Sequence, residues 1–283
     1  MVNTMNTCNI IKSLLVSLLL LFFQGCNGLF YYPSSKIYSN PEKFNINSKD
    51  HYYSTEGGHS LHGALLQSSE GDSVKTLMIV FHGNAQNLSA HFLGFRWAIK
   101  RGVDVFIFDY SGYGKSEGVA TRKQTYHDGL ATLKYTEENL FKNYDRIVLV
   151  GQSLGGAVLM SSAQNWSGLT QVNLMILDST FPTYQGAAKS AMASSWITWL
   201  LQPLVYVLID ESYSPLLKPE KLDSITKWVM HCTNDKVVDY TLGQEVFTML
   251  GGEKKLITEE ECRHIGIFKS TRVQDLVLGE LNK

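Results

Sequence analysis

Ser153 stands in the run Gly151-Gln152-Ser153-Leu154-Gly155-Gly156. A serine hydroxyl is a weak nucleophile unless it is held exposed beside a base. A Gly-x-Ser-x-Gly spacing does the holding when it falls at a sharp turn from strand to helix. Ile147-Val148-Leu149-Val150 precedes it as a short apolar run fit for a buried strand, and residues 154–165 read as a helix. The glycines leave room where side chains would clash. Leu154 then offers its backbone N–H to an oxyanion at the helix N-terminus. The blander alternative is a glycine-rich turn whose serine merely caps the helix.

Two more turns follow apolar runs of the same kind. Leu77–Phe81 leads into His82-Gly83-Asn84-Ala85, and Val103–Phe108 leads into Asp109-Tyr110-Ser111-Gly112-Tyr113-Gly114-Lys115-Ser116-Glu117-Gly118. With Gly-Gln-Ser-Leu-Gly-Gly, these motifs resemble a branch of the α/β-hydrolase superfamily that carries H-G-N-A and D-Y-R-G-Y-G-K-S-E-G. That branch includes protein depalmitoylases and related bacterial hydrolases. The resemblance covers roughly residues 45–280. Ser111 departs from it, standing where the branch has Arg, so the interaction made by that Arg is not expected here.

The resemblance implies a mostly parallel central sheet with helices on both faces and a short apolar cap. It also implies a serine hydrolase that cleaves an ester or thioester without cofactor or metal. The His-Gly turn would supply a second oxyanion donor, the N–H of Asn84, with His82 itself structural. Met230-His231-Cys232-Thr233-Asn234-Asp235-Lys236-Val237-Val238 is similar to the family's I-H-G-T-x-D-x-V-V. This places the acid at Asp235, with Asp239 and Asp178 as rivals. His264 holds the family position of the general base, although Ile265-Gly266 replaces the usual Asn-Asp after it. His51, His59, His62, His91, His127 and His231 fit the base position worse.

Cys232 and Cys262 end the strands that carry Asp235 and His264. They read as two small buried thiols, or as a disulfide that pins the acid and base loops in an oxidising compartment.

The elements that must position these residues alternate strand and helix. Two short strands flank Gly57-Gly58 between about 43 and 68. Strands at 77–81, 103–108, 147–150 and 172–177 follow, with others around 228–230 and 256–258. Helices are expected over 87–101, 122–142, 154–165, 240–250 and 268–282. Strands alternating with helices predict a parallel sheet covered on both faces.

The chain has 283 residues, 25 basic against 26 acidic, and 44% hydrophobic residues. That balance argues against a nucleic-acid-binding surface, and the apolar content excludes disorder. Residues 14–23 form an uncharged apolar stretch too short to span a bilayer, as in a signal peptide. Gln24-Gly25-Cys26 resembles a bacterial lipobox, with Phe23 and Gln24 departing from it. The expectation is a lipoprotein-like signal at 1–25, lipidation at Cys26, a tether over 26–42 and one hydrolase domain over 43–283. The protein would be exported and membrane-anchored, facing the periplasm or cell surface.

Between Asp178 and the strand near 228 lies the expected cap, about 181–220. Ala191–Ile209 carries no charge. It is read as a buried or cap helix pair rather than a membrane span, lining an acyl pocket or simply packing. Two alternatives to the esterase reading remain. One is a serine peptidase of the same fold; the other is a non-catalytic surface-anchored lipoprotein used for binding.

Overall fold

The structure is a computed structural model that describes residues 30–69, 75–193, 200, 202–215 and 217–283. The signal expected at 1–25 and the lipidation expected at Cys26 lie outside the described residues.

The central sheet follows from the apolar runs. Strands β2 (Asn47–Ser54), β3 (Ser60–Gln67), β4 (Thr76–Phe81), β6 (Val103–Phe108), β7 (Arg146–Gln152), β8 (Leu174–Asp178), β9 (Lys227–Cys232) and β10 (Lys254–Glu259) pair in the order β10-β9-β8-β7-β4-β6-β3-β2. β2 and β3 are antiparallel to their neighbours. All other pairs are parallel. Successive side chains point to opposite faces, so each run feeds two cores. Leu77, Ile79, Phe81, Leu149 and Leu177 enter one. Met78, Val80, Val148, Val150 and Ile176 enter the other. This explains the lack of polar alternation in the parallel strands.

Eight helices, α1 (Leu88–His91), α2 (Arg96–Ile99), α3 (Arg122–Asn139), α4 (Leu154–Ala163), α5 (Tyr184–Ala193), α6 (Val205–Leu208), α7 (Tyr240–Met249) and α8 (Thr271–Leu281), are found among the described residues. All ten residues of α4 are buried, as befits a central helix that is apolar all round. α3 packs beside it through small residues: a Cβ on Gly129 would run into Ser162 Oγ. The single helix expected over 87–101 is instead α1 and α2 joined by a 3₁₀ turn, Phe92–Phe95. Residues three apart eclipse in a 3₁₀ turn, and this directs both Phe92 and Phe95 into the core.

One further expectation changes. The tether boundary moves, because from Phe30 onward the chain is packed on the domain. Phe30 and Tyr31 are buried, and Tyr32–Pro33 (β1) pairs in parallel with Ala85–Gln86 (β5). In the cap, α5 spans Tyr184–Ala193 and α6 Val205–Leu208; residues 194–199, 201 and 216 lie outside the described residues. No helix of the described residues is long and apolar enough to cross a membrane.

Register sets the site. Phe81 pairs with Gly151, Gln152 with Asp178 and Asp178 with Met230. The C-terminal ends of β4, β7 and β8 therefore lie level, and the turns after them share one sheet edge with the loops after β9 and β10. In open α/β sheets that edge is where ligands bind.

Candidate active site

Ser153 sits between β7 and α4 with φ 54° and ψ −121°, a backbone conformation that costs a non-glycine residue about 1–3 kcal/mol. Its neighbours enforce it. A Cβ on Gly155 would collide with the carbonyl oxygens of Phe81 and His82, and one on Gly151 would meet Gly156 Cα at 2.5 Å. Ser153 N–H donates to the Asp178 carbonyl at 2.8 Å, and Thr180 Oγ1–H donates to the Ser153 carbonyl at 2.8 Å. The serine is thus fixed at both ends of its backbone. No side-chain cap of α4 is formed by Ser153, which removes the capping alternative.

The structure brings Ser153, His264 and Asp235 into one chain of hydrogen bonds. His264 Nε2 lies 2.9 Å from Ser153 Oγ, and His264 Nδ1 lies 2.7 Å from Asp235 Oδ2. A carboxylate only accepts, so Nδ1–H donates to Asp235 and Nε2 is left to receive the serine proton. Asp235 Oδ1 accepts the N–H groups of Val237 at 2.8 Å and Val238 at 3.1 Å. Burial pushes the Asp235 carboxyl up. The His264 hydrogen bond and charge, with the two N–H donors, outweigh burial and hold it below its ordinary value. The arrangement can take a proton from Ser153 and stabilise the resulting imidazolium.

The rival acids have other partners. Asp239 caps α7 by accepting Thr241 N–H at 2.9 Å. Asp178 is buried, accepting from Gln152 Nε2 at 2.8 Å and from Ser179 Oγ at 2.9 Å. Burial raises it to about 6 despite these donors. Ser179 Oγ also accepts Ile265 N–H at 3.3 Å, which ties the base loop to β8. Ile265, which replaces the usual Asn, adopts φ 50° there.

Cys232 and Cys262 are joined in a disulfide, Cα–Cα 5.5 Å, so the thiol reading gives way to the bridged one. It closes the loops bearing Asp235 and His264 against each other.

The oxyanion side lies across Ser153. A Cβ on Gly83 would stand 3.8 Å from Ser153 Cβ, so the His82-Gly83-Asn84 turn abuts the nucleophile. Leu154 is the first residue of α4, and its N–H is one of that helix's unpaired N-terminal donors. His82 is fully buried. Its Nδ1 donates to the Gly83 carbonyl at 2.7 Å and its Nε2 faces Asp109 at 3.5 Å. Asp109 also accepts Leu88 N–H at 2.7 Å. Burial raises the Asp109 carboxyl, but His62, His82 and that N–H together hold it below its ordinary value. Ser111 is buried, donating from N and Oγ to Asp128 at 2.7 and 2.9 Å. The serine in the Arg position has found its own partner.

Sequence reasoning missed three contributors. Tyr113 Oη donates to the Asn84 carbonyl at 2.6 Å. His91, displaced to about 4 by burial and the neighbouring His82, lies with Nε2 2.9 Å from the Ala85 carbonyl. Glu211 accepts the N–H of Tyr184 at 3.3 Å and of Gln185 at 2.5 Å, capping α5 from the far end of the cap. Only Tyr113 had a signal, its place in the Asp-Tyr-Ser-Gly-Tyr-Gly loop. Of the other histidines, His51 meets Tyr135 Oη, while His231 Nε2 donates to the Val238 carbonyl and lies 3.5 Å from Asp235 Oδ2.

A model of the family described as serine aminopeptidase, S33, matches residues 72–223. Relatives by sequence include the uncharacterized protein YfhR of Escherichia coli (strain K12), 29% identical over 264 residues, which are 90% of this chain and 88% of that protein. Protein bem46 of Schizosaccharomyces pombe is 31% identical over 148 residues, 50% of this chain and 47% of its own. Among solved structures, the Pyrococcus furiosus esterase Pf2001 matches with TM-score 0.66 and 19% identity over 89% of this chain and 97% of its own. Est1E from Butyrivibrio proteoclasticus, solved with ferulic acid bound, matches with TM-score 0.61 and 18% identity over 82% and 100%. At such identities the solved structures speak for the fold, which is that of the α/β hydrolases.

Proposed function

We propose that this chain, which belongs to the α/β-hydrolase family described as serine aminopeptidase, S33, transfers the acyl group of an ester or thioester to water through a Ser153–His264–Asp235 triad. The observation that carries the reading is the relay of 2.9 Å from Ser153 Oγ to His264 Nε2 and 2.7 Å from His264 Nδ1 to Asp235 Oδ2.

Ser153 Oγ attacks the carbonyl carbon while His264 Nε2 takes its proton. The negative charge that forms on the carbonyl oxygen is met by the N–H groups of Leu154 and Asn84, where each donor contributes about 3–4 kcal/mol. Asp235 holds the His264 tautomer and stabilises its protonated form. His264 returns the proton to the leaving alkoxide or thiolate, an acyl-Ser153 remains, and water activated by the same His264 releases the acid.

The peptidase reading draws on the family's description. An aminopeptidase has to pair a substrate ammonium with a carboxylate near the nucleophile. Asp178 and Asp235, the buried carboxylates beside Ser153, are both committed to internal donors, which favours the ester. The test is steady-state turnover of p-nitrophenyl esters of graded chain length, a matched acyl thioester and aminoacyl p-nitroanilides. Ester or thioester turnover at least about a hundredfold above anilide supports the proposal. Preferred anilide cleavage replaces it with the peptidase, and no turnover of any substrate favours a binding module.

The export signal at 1–25 and lipidation at Cys26 belong to the same proposal, placing a lipid-like acyl substrate within reach of an anchored enzyme. Membrane fractionation of the full chain against Cys26→Ser tests it: wild type sediments with membranes and the variant is released.

A further inference from the structure

Four successive carbonyl groups of the oxyanion turn each carry a hydrogen bond. His82 O accepts from Tyr110 Oη at 3.1 Å. Gly83 O accepts from His82 Nδ1 at 2.7 Å. Asn84 O accepts from Tyr113 Oη at 2.6 Å and from Tyr32 N–H at 2.9 Å. Ala85 O accepts from His91 Nε2 at 2.9 Å. A peptide unit is planar, and its C=O and N–H point opposite ways. The His82 bond to Gly83 O therefore fixes the direction of the Asn84 N–H, which belongs to the same peptide. The bonds on Asn84 O fix the next peptide, so the turn cannot rotate as a unit.

Part of this clamp comes from the segment before the hydrolase core. Tyr113 Oη, besides donating to Asn84 O, accepts Tyr32 N–H at 3.2 Å. The segment is held in turn along its length. Asn87 Nδ2 donates to Ser34 O at 2.7 Å and Lys36 O at 2.8 Å. Gly114 N–H donates to Ser34 O at 3.0 Å. Tyr38 N–H donates to Ser89 Oγ at 2.9 Å. At its other end, Phe30 packs edge-on against Tyr184 of α5, ring centroids 5.2 Å apart. Tyr31 Oη meets Thr125 Oγ1 at 3.0 Å.

We infer that the strap Phe30–Tyr38, acting through Tyr113, is a positioning element of the active site that aims the Asn84 N–H at the reacting carbonyl. The inference rests on the acyl-transfer reading above and deepens it. A preorganised donor is effective because it needs no reorientation when charge develops, and the strap supplies that fixity from outside the sheet. The strap also reaches the cap helix α5, through the edge-on contact of Phe30 with Tyr184.

The test uses the full chain with two variants. Tyr113→Phe keeps the ring and removes only the hydroxyl shared by Asn84 O and Tyr32 N–H. Asn87→Asp keeps the oxygen that accepts Ser89 N–H and removes the donors to Ser34 and Lys36. Turnover of a p-nitrophenyl ester is expressed per site titrated with a fluorophosphonate, so misfolded protein does not count. Affinity is measured for an alkyl trifluoromethyl ketone, whose adduct with Ser153 bears an oxyanion. In each variant kcat per titrated site is expected to fall about 10- to 100-fold, the scale on which a misaimed donor acts. KM stays within about twofold, and the ketone weakens by the same factor as kcat/KM. Unchanged kcat per titrated site in both variants overturns the inference, as does undiminished ketone affinity where kcat has fallen. A wild type that neither turns over ester nor reacts with the fluorophosphonate overturns the acyl-transfer reading and the strap's role together; normal wild-type behaviour with indifferent variants overturns the strap alone.

Discussion

The two flanks of Ser153 are held by different means. On the acid–base flank, the loops after β9 and β10 are closed covalently by the Cys232–Cys262 disulfide. On the oxyanion flank, the turn after β4 is held without a covalent tie, by hydrogen bonds to its carbonyls from Tyr110, His82, Tyr113 and His91 and from the strap. The difference suits the two tasks. In the acyl-transfer proposal His264 accepts and returns a proton twice per cycle, so its side chain cannot be locked by many bonds, and the restraint falls on the backbone around it. Asn84 N–H has one direction to keep, and a rigid array of bonds on the opposite side of the turn keeps it without touching the substrate.

Breaking the acid–base flank at its centre has the largest effect. Asp235→Asn retains the shape but no longer enforces the Nδ1–H tautomer of His264. kcat for ester hydrolysis is expected to fall by about 10⁴, roughly 5 kcal/mol, with KM little changed. A loss below tenfold would return the acid role to Asp178.

Cutting the covalent pin comes next. The bridge closes a loop of sequence separation 30, and removing it by Cys232→Ala with Cys262→Ala is expected to cost about 3–4 kcal/mol of unfolding free energy. Urea denaturation measures this. An equal loss in the wild type under reductant would show that the stability resides in the bridge. Unchanged stability would mean that the noncovalent restraints suffice on this flank too.

The smallest effect compares buried carboxylates. Asp128 holds Ser111 on the oxyanion flank, and burial raises it to about 6 despite the Ser111 and Gln124 donors. Because its folded value lies above its unfolded one, the group lowers stability most above pH 6, and the loss is relieved as pH falls from 6 toward 4. The stability of Asp128→Asn relative to wild type is therefore expected to improve by about 1 kcal/mol between pH 5 and pH 7. No pH-dependent difference would contradict this assignment.

The sheet and the strained turn that holds Ser153 were legible because local patterns encode them. Apolar runs without alternation mark strands buried on both faces, and the Gly-x-Ser-x-Gly turn admits few other backbones. His264 and Asp235 needed the family resemblance, since nothing in the spacing of His264 from Ser153 shows that they meet. The oxyanion clamp was largely illegible. Tyr32 and Tyr113 contribute single atoms to a carbonyl far along the chain, His91 to one six residues back, and no periodicity announces such contacts. The strap read as a tether because its polar Ser, Asn and Lys residues look like linker sequence, while what binds it is mostly its backbone. The broken helix at 87–101 was hidden because Phe92 and Phe95 fit either an α or a 3₁₀ spacing.

The most direct measurement of the central claim is intact-mass analysis after reaction with a fluorophosphonate, followed by peptide mapping. A Ser153–His264–Asp235 triad predicts one adduct per chain on Ser153, absent from Ser153→Ala. Folded wild-type protein that takes up no adduct, or takes it up equally after Ser153→Ala, would contradict the account.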